Sequence, residues 1–190
     1  MSTTIDSIPT TTPATGTYNL DPTHSRIGFV ARHAMVTKVR GNFNEFDGSG
    51  YFDADTPANS RFEVTIQATS IDTRNADRDN HLRSNEFFDM ETYPTLSFAS
   101  TAVEPLGDAE FRVIGDLTIK GVTKSVTLDL EQTGTAVDPF GDTRLGLEGT
   151  TVVNRKDWGI TWNAPLETGG VLVGEKVTLE FEISAVKSAG

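Results

Sequence analysis

The sequence predicts an all-β fold, an eight-stranded antiparallel barrel with a short helical insertion between the third and fourth strands. Three observations carry this expectation. From Thr17 onward, β-branched and aromatic residues alternate with polar ones at period two, the pattern of half-buried strands. Clusters of Gly, Pro, Asp and Asn divide the pattern into eight segments, each with one apolar face. Eight such strands can close on themselves, which removes exposed edges and leaves an interior that side chains fill or that holds one small ligand. A two-sheet sandwich shares the alternation and is the rival arrangement.

Taken in order, residues 1–16 are rich in Thr, Pro and Ser. They bury too little apolar area to offset ordering entropy, which predicts a flexible tail and leaves residues 17–190 as one domain. The first strand carries Ile27, Phe29, Ala31 and His33 on one face. In the second, Phe43 has the opposite parity from Phe46, Gly48, Gly50 and Phe52, which predicts a bulge near Asn44-Glu45. The third presents Phe62, Val64, Ile66 and Ala68.

Residues 75–85 break the period and read as a short helix. Asn75 caps it, Asp77 and Asp79 suit its positive end, Arg83 suits its negative end, and Asp79 and Arg83 form an i,i+4 pair. Leu82 is nearly its only large apolar residue, so this helix lies over the barrel mouth with its polar side in water. Phe87 and Phe88 follow as the inner side of that cover.

The fourth strand holds Leu96, Phe98, Ser100 and Ala102. In "FRVIGDLTIKGVTKSVTLDLE", Gly121-Val122 reads as a two-residue turn, placing Leu117 opposite Val126, Gly115 opposite Leu128 and Val113 opposite Leu130. The seventh strand presents Leu145, Leu147, Gly149, Thr151, Val153 and Arg155, and the eighth Val177, Leu179, Phe181 and Ile183. Small residues on inner faces (Ala31, Gly48, Gly50, Ala68, Gly115, Gly149) favour an unfilled interior.

An up-and-down order puts the long connections 70–94 and 156–170 at one rim. His33, Lys124 and Arg155 reach that rim with inward parity, a polar ring above an apolar interior. For each of them a satisfied structural role at a strand end is the alternative.

A net charge of −11 with pI near 4.6 argues against nucleic acid or an anionic membrane surface as partner, because both need clustered Lys/Arg. The chain has no cysteine, so thiolate chemistry and disulfides are out. No apolar run approaches the length of a membrane helix, and the N-terminus lacks the pattern of a secretory signal, which points to the cytoplasm. The sequence contains no HxH or HExxH pattern, phosphate loop or nucleophile elbow, so no metal or other cofactor is expected.

The ordered set "YNLDPTHSRIGFVARH", "VRGNFNEFDGSGYFD", "SIDTRNADRDNHLRSNEFFDMETYPTLSFAS", "GDLTIKGVTKSV" and "NRKDWGI" resembles the YceI-like family of lipocalin-like, polyisoprenoid-binding proteins, over roughly Thr17 to Lys187. The resemblance implies a lipocalin-like barrel with an elongated apolar cavity for a long-chain isoprenoid, such as a polyprenyl or quinone-type tail, or a related fatty lipid, with no established catalysis. Many relatives carry an export signal that this sequence does not show.

On that reading the ligand-binding residues are Phe29, Ala31, His33, Phe46, Phe52, Val64, Ile66, His81, Leu82, Phe87, Phe88, Phe98, Leu117, Ile119, Lys124, Leu128, Arg155 and Phe181. Two alternatives stay open. One is an enzyme using His33 or His81 for proton transfer in the same cavity; the other is a structural domain with a filled core. Oligomeric state is open, a homodimer included.

Overall fold

The computed structural model of the chain describes residues 13–107 and 109–188. Within them the strands are β1 (Gly16–Leu20), β2 (Arg26–His33), β3 (Thr37–Phe43), β4 (Phe46–Phe52), β5 (Arg61–Gln67), β6 (Ile71–Asp72), β7 (Thr95–Pro105), β8 (Glu110–Ile119), β9 (Val122–Val137), β10 (Thr143–Asn154) and β11 (Val173–Lys187). The single α-helix among them, α1 (Ala76–Arg83), falls between β6 and β7. The first twelve residues of the expected tail lie outside this description. Pro13 is already buried, and the Tyr18 hydroxyl donates to the Ala14 carbonyl at 2.7 Å, so the barrel begins before Thr17.

All strand pairings are antiparallel, and the ring closes because β1 pairs with both β4 and β11. The eleven strands make eight staves. β1 and β2 form the first, interrupted by a 3-10 turn at Pro22–His24; β3 and β4 form the second, and β5 and β6 the third. The long β11 spans the first stave by pairing β1 with its C-terminal part and β2 with its middle. Closure of this ring decides for a barrel over a sandwich.

The expected bulge at Asn44-Glu45 is the break between β3 and β4. By absorbing the parity change it turns both Phe43 and Phe46 inward, each 7% exposed.

The β8–β9 hairpin differs from the expected register by two residues. Ile119 pairs with Val122, Leu117 with Lys124, Gly115 with Val126 and Val113 with Leu128. Lys120 and Gly121 both have positive φ, 52° and 73°, so they are the two central residues of a turn with left-handed backbone at both positions, the hairpin type that matches strand twist. Reading Gly121 as the first central residue moved the turn by one position and every pair by two. Inward faces survive the error, because the side-chain period is two.

The inner glycines mostly seat their neighbours instead of leaving voids. A Cβ on Gly115 would lie 2.3 Å from the Phe98 ring, and one on Gly149 would lie 2.8 Å from a Leu130 methyl. Gly41, opposite Phe29, is likewise covered by the Phe29 ring. Gly48 and Gly50 border the cavity, but there too a Cβ on Gly48 would lie 2.8 Å from the Glu63 carbonyl and one on Gly50 2.7 Å from the Phe62 Cβ, while Ala68 is fully buried.

At the end opposite α1, Arg144 ties three elements together. It donates to Asp21 at 2.7 Å and to Asp138 at 2.8 Å, while Asp21 also accepts from the Thr23 amide at 3.0 Å to cap the turn at Pro22–His24. The Arg144 guanidinium, with help from Thr23 and His24, holds the Asp21 carboxyl far below the ordinary carboxylate range, and Asp138 is lowered chiefly by the same arginine. A carboxylate depressed in the folded state stabilises it above the unfolded value of about 4 and loses that contribution as pH falls toward the folded value. Melting temperature should therefore drop below about pH 4, and Arg144→Gln should flatten that drop. Equal acid slopes for the two proteins in a melting series would remove this latch from the account.

Candidate functional site

The interior holds an elongated cavity of about 210 Å³. Its lower end is formed by Pro13, Tyr18, Phe52, Phe111, Leu145 and Ala185; its upper part by Phe43, Leu96, Leu117, Ile119 and Val126. The walls between are almost wholly apolar: Leu20, Ile27, Phe62, Val64, Ile66, Phe98, Val103, Val113, Leu128, Leu130, Leu147, Leu179, Phe181 and Ile183. Every one of the eight staves contributes, because inward residues recur every second position along each strand.

Of the residues expected to bind ligand, Phe52, Val64, Ile66, Phe98, Leu117, Ile119, Leu128 and Phe181 line this cavity. Phe29, Ala31, His33, Phe46, His81, Leu82, Phe87, Phe88, Lys124 and Arg155 do not. Parity could have found most of the missed wall. Leu96, Val113 and Val126 share faces with Phe98, Leu117 and Leu128, and Leu145, Leu147, Leu179 and Ile183 lie on faces already recognised as apolar. Pro13 carried no such signal, since it precedes the alternating region, and Tyr18 lies at the start of that region, ahead of the first strand face read from the sequence.

Phe87 and Phe88 belong to a plug above the cavity. Phe87 is 5% exposed and packs against Trp162 at 5.3 Å between ring centroids, and Phe88 meets Phe43 edge-on at 6.3 Å. Phe43 is thus both cavity wall and seat of the plug. His81 stands on the same cluster, edge-on to Phe87 at 4.9 Å and to Trp162 at 4.6 Å, with its Nε2 against a Glu86 carboxylate oxygen. Leu82 packs partly buried on the core beside them, and Met90, Trp158 and Ile160 are buried.

The helix carrying His81 is capped by Asn75, whose side chain accepts from the Arg78 amide at 3.0 Å. The expected pair of Asp79 with Arg83 is not formed. Asp79 is buried and accepts from the amide and hydroxyl of Thr73, while Arg83 donates to the carbonyls of Thr69 and Ile71 and to Asn80. Both side chains serve the joint between helix and barrel, because buried polar groups take the nearest available partner.

Arg155 is a structural residue of the rim. Buried, it donates to the carbonyls of Gly174 at 2.9 Å, Ile160 at 2.7 Å, Trp162 at 3.0 Å and Val173 at 3.2 Å. Burial pushes its guanidinium below its ordinary value, opposed by the charge of Glu175. The five fixed donors suit a fan of carbonyls, and they hold the segment that delivers Trp162 to the plug. Trp158 locks the same segment by donating to the Leu117 carbonyl at 2.9 Å. His33, paired across β3 with Thr37, and Lys124, opposite Leu117, are exposed. The three rim residues therefore do not converge on the cavity.

The family model of the YceI-like domain matches residues 18–185. The chain belongs to the YceI-like family. A UPF0312 protein of Staphylococcus epidermidis is 41% identical over 169 residues, covering 88% of this chain and 95% of that one. Among solved structures, BcnA of Burkholderia cenocepacia superposes with a TM-score of 0.74 at 24% identity, covering 87% of this chain and 98% of its own. A polyisoprenoid binding domain from Saccharophagus degradans, implicated in plant cell wall breakdown, superposes with a TM-score of 0.67 at 16% identity, covering 90% and 98%. At these identities the two structures establish the shared YceI-like barrel. Among the described residues, no helix is long and apolar enough to cross a membrane.

Proposed function

We propose that this YceI-like protein holds the tail of a long-chain isoprenoid, or of a related amphiphilic lipid, inside its barrel. The observation that carries the reading is the cavity itself: one elongated space walled by apolar side chains from all eight staves. An apolar chain gains there about 0.8 kcal/mol per buried methylene, so each isoprene unit contributes up to about 4 kcal/mol gross. Ordering costs and competition from membranes cut this strongly. Shape and dryness suffice for such binding, and no group of three metal-ligating side chains occurs among the described residues. The polyisoprenoid-binding description of the Saccharophagus degradans domain supports the same class of ligand.

The cavity of about 210 Å³ lies below the roughly 300–1,000 Å³ usual for drug-sized ligands. A long tail therefore needs the plug of Phe87, Phe88 and Trp162 to swing aside, or it must extend past it. The test is native mass spectrometry and organic extraction of the purified protein. A co-purifying lipid with an isoprenoid or long acyl chain, bound near one per chain, is expected. Protein that extracts clean, and takes up no polyprenyl alcohol or quinone on incubation, would sink the reading.

A further inference from the structure

The cations of this acidic chain are unevenly placed. Residues 22–44 contain four Lys/Arg, namely Arg26, Arg32, Lys38 and Arg40, and no carboxylate, in a sequence with 27 Asp/Glu. They fold into the β2–β3 hairpin, where Arg32 stands directly opposite Lys38. Like charges in that position disfavour pairing, yet neither residue takes part in an ion pair among the described residues. Lower on the barrel, Glu110, Glu131, Glu148 and Glu182 stand in register across β8, β9, β10 and β11. Arg26 and Arg40 are paired with Glu180, so Arg32 and Lys38 are the hairpin cations left for a partner, with the exposed Glu167 on the neighbouring loop as the nearest opposing carboxylate in sequence to the Gly170 contact.

The tip itself is apolar. Met35 is 63% exposed and Val36 74%, and the Met35 sulfur rests against Gly170, next to exposed Val171. Two consecutive non-glycine residues, Ala34 and Met35, hold left-handed backbone with φ of 51° and 62°, a conformation such residues rarely adopt. The Ala34 amide donates to the Leu172 carbonyl at 2.7 Å, tying the tip to the loop that Arg155 braces at the plugged mouth. An apolar tip above unpaired cations is the chemistry of a segment that inserts into the interface of an anionic bilayer. We infer that the β2–β3 tip, with Met35, Val36 and Val171 inserted and Arg32 and Lys38 against lipid phosphates, docks the barrel mouth on anionic membranes. Its use in loading lipid rests on the function proposed above; the docking itself does not.

The test is flotation of the lipid-stripped protein with phosphatidylcholine vesicles, with and without phosphatidylglycerol, at rising salt. Binding that requires phosphatidylglycerol and weakens with salt is expected. It should fall about tenfold in Arg32→Glu/Lys38→Glu and at least as much in Met35→Glu/Val36→Glu, and stay unchanged in Phe140→Glu, which alters an exposed apolar residue on the β9–β10 loop at the other end. All substituted side chains are exposed, so each variant should melt like the parent. Absence of binding, equal binding to both vesicle types, or indifference to the hairpin variants would overturn the inference. So would tip-dependent self-association without vesicle binding, which would make a second copy the occupant. Lipid found inside a protein that ignores vesicles would leave the cavity reading standing and remove this one.

Discussion

Leu128→Trp is expected to empty the barrel while leaving it folded. Leu128 is buried, lines the cavity opposite Val113, and its stave is held on both sides by long ladders. The added ring has free volume to enter, so the overpacking cost should stay near the low end of about 1–3 kcal/mol. The space it takes is that of the ligand chain. Lipid bound per chain, counted by native mass spectrometry, should fall at least about tenfold, which corresponds to about 1.4 kcal/mol or more of lost affinity. A second block from another stave, Val64→Phe, should act in the same direction. If either variant, folded by circular dichroism, keeps full lipid occupancy, the cavity is not where the lipid sits.

The second large effect concerns stability. Arg155→Leu removes a buried guanidinium that serves four backbone carbonyls. Each buried acceptor left without a donor costs on the order of 1–3 kcal/mol. Because relaxation and water entry satisfy part of the set, the net loss should be about 3–4 kcal/mol in denaturant unfolding. Hydrogen exchange should accelerate first in 156–172, the segment that carries Trp158 and Trp162. Arg155→Lys should recover only part of the loss, since an ammonium cannot match the fork of donors. A Leu variant as stable as the parent, with unchanged exchange in that segment, would show that Trp158 and the β10–β11 ladder hold the plug without it.

How much of this was legible beforehand differs by level of structure. Alternation of inner and outer residues depends only on the strand period, so the faces of β2, β5, β8, β9, β10 and β11 could be read directly, and so could eight of the eighteen proposed ligand contacts. The expected β7 face of Leu96, Phe98, Ser100 and Ala102 holds only as far as Ser100, because a register shift beyond it turns Val103 inward in place of Ala102. The bulge between Phe43 and Phe46 was visible as a parity fault. The β8–β9 turn was placed one residue late because Gly121 alone suggests positive φ there, whereas Lys120 adopts it too under the constraint of the closed ladder. The plug was partly legible. Phe87 and Phe88 stood out against their charged surroundings, but their partners Trp162 and Phe43 lie far away in sequence, and no local pattern pairs them.

Arg155 shows the limit most plainly. Parity pointed it inward, and with His33 and Lys124 it suggested a polar ring for a head group. The structure instead wraps a loop around it and uses its donors on backbone, because a buried guanidinium takes whatever acceptors the fold brings within reach.

The sequence by itself therefore determined that this protein is an all-β domain with eight inward-facing apolar stripes and no cysteine for thiol chemistry, properties that follow from local period and residue type. Tertiary closure decided the rest. It determined which stripes border empty space and which rings occupy the glycine gaps, and it assembled a plug from residues remote in the chain. It also sorted the charges. A sequence with a net charge of −11 argues against an anionic surface on average, whereas the folded chain gathers Arg32 and Lys38 beneath an apolar tip. Electrostatic recognition depends on local field over about a screening length and not on the sum over the chain.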